Sequence, residues 1–382
     1  MSLPTDTDNR RVDALLGAPR PPLDARINGL EDLQALRQRW AQVEATPVVI
    51  ERREQGLDHA WAGLDIRTFL SGEQSAGRFS VHNVALAPGA GLPAHYHEHA
   101  HAIALVVAGE IELGVGQLVE QVEQYSLGYL PPRTRLSFRN RGAAPASLTL
   151  VYWPAGAERA FEEAHRHWQA TQEASALAYQ DILGRHGFRF DDAVLPNDLR
   201  TNEPLEPLDF EIQGPGDLEA LRAEFQRRPD VPRLVRTTRS EFDAAPSGTT
   251  FRKSLLTGED SGGNAMLNLL SGVPGFSAPD HHQPTEEEFF FIGDGELQMT
   301  CATATKVLSP GAFAFAPRHC THAFVNTGPS ASVRFVSLNS PAGHERSMAA
   351  VRRRSEQGAT KQQLHELATV GGFVFHTRPE SR

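Results

Sequence analysis

Residues 275–295, GFSAPDHHQPTEEEFFFIGDG, hold the strongest architectural signal in the chain. A stretch of equal length at residues 89–109, GAGLPAHYHEHAHAIALVVAG, also has glycine at both ends and histidine at its seventh position. The two stretches lie ~186 residues apart, which is the separation of Gly89 from Gly275. The chain therefore carries a repeated unit, and the extent of this repeat bounds every later assignment.

Short matches at nearly the same offset continue on both sides of these stretches. The matched pairs are DLQALR at 32–37 with DLEALR at 217–222, PAGAER at 154–159 with PAGHER at 341–346, and GFRF at 187–190 with GFVF at 372–375. One unit therefore spans roughly residues 27–192 and the other roughly 211–377. Two domains also suit a chain of 382 residues, because single cores stop growing at about 250–300 residues.

Each unit contains short apolar and aromatic runs separated by Gly, Pro and Asn, a cadence typical of sandwiches and jelly rolls. Apolar residues at three- and four-residue spacing predict helices at 30–43, 157–183, 217–227 and 343–367. The two helices that follow the barrels, at 157–183 and 343–367, are expected to pack on the outside of the barrels. The predicted fold is all-β, with two tandem jelly-roll barrels and flanking helices. The predicted domains are a helical arm (1–45), barrel 1 (46–165), a helical and linker segment (166–228), barrel 2 (229–350) and a helical tail (351–382).

Composition argues against several classes of function. The formal net charge of -10, without a long Lys/Arg run, disfavours nucleic acid as a partner. No segment approaches the ~20 apolar residues of a membrane helix, and the polar start does not resemble a secretory signal. Two cysteines are too few for a disulfide framework. We therefore expect a cytoplasmic protein that acts on a small molecule, without nucleic acid or membrane as a partner.

Two patterns in the second unit resemble the two sequence motifs of the cupin superfamily. They are Gly275, His281, Gln283, Glu288 and Gly295, followed by Gly311, Pro317, His322 and Asn326. The phrases TGEDSGG at 257–263 and EFFFIGDGEL at 288–297 further resemble bacterial quercetin 2,3-dioxygenase-like bicupins. The resemblance implies RmlC-like cupin barrels and a metal-dependent dioxygenase acting on a small aromatic, enolic or flavonol-like compound, with O2 as a further partner. It also allows a homodimer.

The same resemblance assigns roles in the second unit. His281, Glu288 and His322 would supply two imidazoles and a carboxylate, the composition of the Fe(II) facial triad. Gln283 stands where the motif has its second histidine and would be a weak fourth ligand. Strand residues two apart share a face, so residues 281 and 283 both point into the barrel. Glu288 is either a ligand or a proton acceptor. The expected cofactor is a divalent transition metal, first Fe(II), with Mn, Ni, Cu and Zn as alternatives.

The first unit departs from the motif in a different way. It keeps His95 and His97, but the repeat offset places Ala102 opposite Glu288 and Leu136 opposite His322. His101 is the candidate third ligand. An extended strand would put all four histidines of the run at 95–101 on one face, whereas a turn after residue 97 would scatter the last two.

Three functional hypotheses remain open on the sequence alone. The first is the metal-dependent dioxygenase. The second is a non-catalytic bicupin that binds a small molecule, because neither unit keeps a full set of three histidines and a glutamate. The third is a redox-neutral isomerase or lyase that uses the metal as a Lewis acid. The run Phe289–Phe291 is a core strand or a wall for an aromatic substrate, and which barrel carries the chemistry is also open.

Overall fold

The computed structural model describes residues 26–376, except 62, 174, 192–194, 196, 198–201, 215, 239–240, 242–249 and 329–331. Most of the predicted N-terminal arm, the last six residues of the predicted tail and part of the linker lie outside the described residues. The described residues form two compact units, one of 26–203 with 231–241 and the other of 204–230 with 250–376. In this part of the chain, none of the helices has the length and apolar character needed to cross a membrane.

The first unit consists of short antiparallel strands and three helices among its described residues. The helices are α1 (Leu30–Trp40), α2 (Ala157–Thr171) and α3 (Ala176–Arg185), with a 3-10 turn at Arg53–Gln55. The strands are β1 (Val48–Ile50), β2 (Leu57–Asp58), β3 (Leu64–Leu70), β4 (Ser80–Leu86), β5 (Gly91–His97), β6 (His101–Ala108), β7 (Glu110–Val115), β8 (Leu118–Glu123), β9 (Leu127–Leu130), β10 (Leu136–Arg139), β11 (Ala146–Trp153), β12 (Phe188–Arg189) and β13 (Arg233–Val235). Two sheets result, in the orders β13-β9-β6-β11-β4-β3-β2 and β12-β5-β10-β7-β8.

The second unit repeats this plan. Its helices are α4 (Asp217–Phe225), α5 (His344–Glu356) and α6 (Lys361–Val370). Its strands are β14 (Phe251–Leu256), β15 (Met266–Gly272), β16 (Ser277–His282), β17 (Glu287–Asp294), β18 (Leu297–Cys301), β19 (Ala304–Leu308), β20 (Phe313–Ala316), β21 (His322–Val325), β22 (Val333–Ser340) and β23 (Val374–Phe375). Within this unit the sheets run β20-β17-β22-β15-β14 and β19-β18-β21-β16-β23. Strands β3–β12 thus correspond one by one to β14–β23, which confirms the predicted all-β fold of two tandem jelly-roll barrels.

The short strand β13 belongs to the first unit, although the predicted second barrel begins at residue 229. It pairs antiparallel with β9, with Arg233 opposite Tyr129. Its central residue, Leu234, is buried in the hydrophobic core of the first unit. Asn202 fixes the strand from the other side, because its side chain bonds both backbone groups of Leu234. The burial of Leu234 and these hydrogen bonds explain why β13 belongs to the first unit.

Each predicted terminal helical stretch forms two helices rather than one. In the first unit, α2 ends where Gln172 adopts a left-handed φ of 53°, and Ser175 then caps α3. In the second unit, Thr360 caps α6 with a capping box. These helices do more than pack outside a barrel, because Phe161 of α2 and Leu183 of α3 belong to the same core cluster as the inward residues of the strands. The helix pair therefore contributes to the barrel interior.

Candidate metal centre

Three side chains from separate strands meet inside the second barrel. His281 at the end of β16 lies opposite His322 at the start of β21, and their ring centroids are 4.4 Å apart. Glu288 enters from β17, with its Oε2 atom 3.1 Å from His322 Nε2. One ligand atom from each residue lies within 4.8 Å of the other two, and all three residues are buried. Among the described residues, this is the one group of three or more His, Cys, Asp or Glu side chains with such spacing.

Backbone carbonyls orient both imidazoles. Nδ1 of His281 donates a hydrogen bond to the Pro279 carbonyl (2.7 Å), and Nδ1 of His322 donates to the Cys320 carbonyl (3.0 Å). A proton on Nδ1 leaves Nε2 as the metal-binding nitrogen of each ring. For metal–ligand bonds of about 2.1 Å, neighbouring ligand atoms at right angles are about 3.0 Å apart. The separation of 3.1 Å between His322 Nε2 and Glu288 Oε2 therefore fits a bound divalent metal.

The charge state of the three groups follows from burial and mutual contact. Burial raises the pKa of Glu288, but the hydrogen bond with His322 and the nearby imidazoles outweigh it and leave that pKa at about 2. Burial lowers the pKa of His322, and the hydrogen bond to Glu288 reverses this so that the net shift is upward. Burial and the neighbouring His322 lower the pKa of His281 to about 4. At neutral pH without metal, His281 is therefore neutral, and the contact between His322 and Glu288 favours an imidazolium beside a carboxylate.

We expect metal binding to release a proton at pH values below the raised pKa of His322, because the metal replaces the proton between His322 and Glu288. Since the pKa of His322 is raised, its imidazolium persists to higher pH, and metal affinity should rise about tenfold per pH unit until that pKa is passed. Calorimetric titration of Zn2+ in buffers of different ionisation enthalpy measures the released proton. Binding without proton release, at the same affinity across this range, would contradict an imidazolium at His322 beside the Glu288 carboxylate.

Gln283 lies beside the carboxylate. Its Nε2 atom donates a hydrogen bond to Glu288 Oε2 (2.8 Å), and its side chain is buried. This contact holds the carboxylate in place. That Gln283 is itself a metal ligand stays a prediction.

The first barrel keeps only part of this arrangement. Nδ1 of His95 donates to the Pro93 carbonyl (2.8 Å), as His281 does in the second barrel. The Nε2 atoms of His95 and His97 are buried and have no hydrogen-bond partner among the described residues. Leu136 lies opposite His95 in the ladder, just as His322 lies opposite His281. The two missing ligands are therefore replaced by apolar side chains at equivalent positions.

The turn after residue 97 separates the four histidines. Strand β5 ends at His97, residues 98–100 bend, and β6 begins at His101. The His101 ring stacks on Trp153, with centroids 5.1 Å apart and an interplanar angle of 1°. In the described part of the chain, His101 does not join His95 and His97 in a three-residue ligand group. The scattered arrangement, one of the two sequence alternatives, is the one observed.

The cupin domain family matches the chain twice, over residues 82–152 and 270–339. The chain contains two cupin domains. The first match begins within β4 and ends within β11, and the second begins within β15 and ends within β22. The second match therefore includes the strands that carry His281, Glu288 and His322. These matches leave the finer resemblance to quercetin dioxygenases as a prediction.

Solved structures with similar folds have low identity to the chain. Protein YlbA from E. coli is 11% identical, with a TM-score of 0.48 over 80% of this chain and 96% of that one. A Lactobacillus farciminis oxalate decarboxylase in complex with formate is 12% identical, with a TM-score of 0.47 over 85% and 97%. A cupin 2 conserved barrel domain protein from Leptotrichia buccalis is 10% identical, with a TM-score of 0.42 over 78% and 98%. No curated protein matches the chain.

The two cupin domains differ most in the space inside them. A cavity of about 880 Å³ in the second domain is lined by His281 and Glu288, whereas the space beside His97 in the first domain measures about 20 Å³. Three equivalent positions show the cause. Ile66, Leu150 and Phe161 fill the first core, and Arg252, Ser337 and Met348 line the cavity of the second. The second cupin domain is therefore hollow at its ligand group, and the first is packed.

Six phenyl rings contribute to the walls of this cavity. The lining phenyl rings are those of Phe276, Phe290, Phe324, Phe335, Phe373 and Phe375. The run Phe289–Phe291 divides between the two predicted roles, because Phe290 lines the cavity while its neighbours pack against Phe313. A cavity of this size suits a small organic ligand, for which pockets of about 300–1,000 Å³ are usual.

Two cavity residues, His344 and Arg252, were missed by the sequence interpretation. His344 is the first residue of α5 and is buried, and its Nδ1 atom has no hydrogen-bond partner among the described residues. Burial lowers its pKa to about 3, so the ring is neutral at pH 7. The repeat contained the signal for both residues. Within the matched hexapeptides, His344 stands against Ala157, and at the common offset Arg252 stands against Ile66.

Proposed function

We propose that the second cupin domain is a metal-dependent dioxygenase that acts on a small aromatic, enolic or flavonol-like compound. One observation carries the proposal: His281, Glu288 and His322 converge at coordination spacing, and two of them, His281 and Glu288, line a cavity of about 880 Å³ to which six phenyl rings contribute. Two imidazoles and one carboxylate form the ligand composition of Fe(II) oxygenases and leave coordination positions open. When bound there, Fe(II) would supply redox chemistry toward O2 and Lewis acidity toward a substrate hydroxyl.

The residues of the chain have distinct roles in this proposal. Glu288, with a pKa of about 2, is too weak a base to accept a proton efficiently at pH 7, so its role is that of a ligand. His344 lines the cavity with a ring that is neutral at pH 7, and a neutral imidazole suits a hydrogen bond with substrate. The phenyl rings in the walls favour a flat apolar body.

We expect protein reconstituted with Fe(II) under anaerobic conditions to consume O2 in proportion to substrate loss when it is mixed with a panel of catechols, enols and flavonols. Glu288→Gln keeps the size of the side chain but removes its charge, and should lower turnover at least about 100-fold. Oxygen electrode traces combined with product mass spectra provide the measurement. Zn-loaded protein is the matched control without redox chemistry. If Fe, Mn, Ni and Cu forms all leave O2 untouched across the panel, the proposal fails.

A redox-neutral isomerase or lyase would use the same three ligands. Turnover that continues at the same rate without O2 identifies that alternative. For the first cupin domain we propose a non-catalytic role, because apolar side chains occupy two ligand positions and fill the interior.

A further inference from the structure

We propose that Arg252 is an anion-binding residue that selects substrates carrying a carboxylate, held by the guanidinium at a distance from the ligand group within the same cavity. This inference rests on the proposed function in one respect, since it names the substrate class of that cavity. Arg252 lies on β14, and Thr250, Arg252 and Ser254 all line the cavity. Alternate residues of a strand share one face, so this side chain points into the barrel.

The position of Arg252 is otherwise an apolar one. Its equivalent in the first cupin domain, Ile66, is 2% exposed and belongs to the hydrophobic core. Leu270 lies opposite Arg252 on the adjacent strand β15, and both residues line the cavity together with Phe335. Arg252 is partly buried, so its guanidinium has less hydration than one on the surface, and an anionic ligand would stabilise it.

The protein itself does not provide such an anionic partner. Glu345 and Glu288 act on Arg252 electrostatically, and burial lowers the pKa of the arginine while these carboxylates raise it. Both carboxylates form their hydrogen bonds elsewhere. Glu345 accepts from the backbone of Gly258 (2.9 Å) and Gly343 (2.8 Å), and Glu288 is held within the ligand group. Within the described residues, no group accepts a hydrogen bond from the Arg252 guanidinium.

The chemistry of a guanidinium identifies the missing group. Its planar fork of N–H donors matches a carboxylate, which it binds through two parallel hydrogen bonds. The cavity therefore contains the guanidinium of Arg252, phenyl rings and the carboxylate of Glu288. A ligand complementary to all three has a carboxylate for Arg252, a flat apolar body, and an oxygen that can approach the ligand group once a metal is bound.

The test compares carboxylates with neutral amides of nearly the same shape. Benzoate and benzamide, cinnamate and cinnamamide, and salicylate and salicylamide are titrated calorimetrically into the full chain, as purified and after metal removal. We expect at least one acid to bind wild type about 10- to 100-fold more tightly than its amide. Arg252→Met should abolish this preference, and Arg252→Lys should restore part of it.

Arg353→Met is the matched control, because Arg353 is 48% exposed, lies 3.1 Å from Glu211 and does not line the cavity. It removes the same charge and should change the preference less than about twofold, as expected for a solvated cation. Thermal unfolding of each variant verifies that it is folded. Equal binding of acids and amides by wild type, or a preference that survives in Arg252→Met, would overturn the inference.

The outcomes separate this inference from the proposed function. An Arg252-dependent preference in metal-free protein supports the anion site even where O2 uptake fails, which would remove the dioxygenase alone. Oxygenase turnover of carboxylate substrates that is unchanged in Arg252→Met would keep the dioxygenase and overturn the anion site.

Discussion

His322→Ala is expected to leave the second cupin domain without tightly bound metal and without oxygenase turnover. The substitution removes one of three ligands and also the hydrogen bond that holds Glu288 Oε2. Loss of groups that only support a metal ligand costs about 10–100-fold in affinity, so loss of a ligand itself should exceed about 100-fold. Elemental analysis of metal per chain, paired with O2 uptake, measures both effects.

His97→Ala in the first cupin domain is the matched control. His97 is a buried histidine of the first barrel, on the strand equivalent to that of His281, but its barrel lacks the carboxylate and the third imidazole. We expect this variant to keep wild-type metal content and turnover. If His322→Ala retained metal at the wild-type level and His97→Ala lost it, the metal centre would lie in the first barrel instead.

Phe161→Ala is expected to lower the free energy of unfolding of the first cupin domain by about 3–5 kcal/mol, the usual cost of emptying a packed phenyl site. Phe161 is 1% exposed and contacts the rings of Phe188 and Tyr152. The equivalent change in the second domain, Met348→Ala, should cost less than about 1 kcal/mol, because Met348 already borders open space.

Urea unfolding compares these two variants: tryptophan fluorescence follows the first domain, whose unit holds all four tryptophans, and circular dichroism follows both domains, with each transition fitted separately. The contrast tests directly whether one barrel is packed and the other hollow. Equal losses at the two positions would mean that the second domain is also packed in solution, and the cavity on which the proposed function depends would be absent.

The sequence predicted the ligand group because the relevant rules are local. A histidine and a glutamate at cupin spacing lie on neighbouring strands, and strand alternation sends both side chains to the interior. His281, Glu288 and His322 meet as this reasoning requires. His101 does not join His95 and His97. Whether residues 98–100 continue the strand or form a turn depends on where the His101 ring finds a packing partner, and that partner is Trp153, ~50 residues away in sequence.

Arg252 and His344 show a different limit. Each looks like an ordinary surface residue in its own segment, one on a strand of mixed polarity and the other at a helix start. Their positions in the cavity depend on how β14 and α5 pack onto the barrel. Only comparison of the two repeats, position by position, marks them as substitutions within an otherwise apolar interior.

The amino-acid sequence by itself determined the duplication, the all-β class and the three residues able to hold a metal, because repeat offset, two-residue alternation and motif spacing are properties of short segments. The tertiary structure alone decided which barrel is hollow. The volume inside a barrel is the sum of side chains from strands and helices far apart in sequence, so Ile66, Leu150 and Phe161 close one interior only when the fold brings them together.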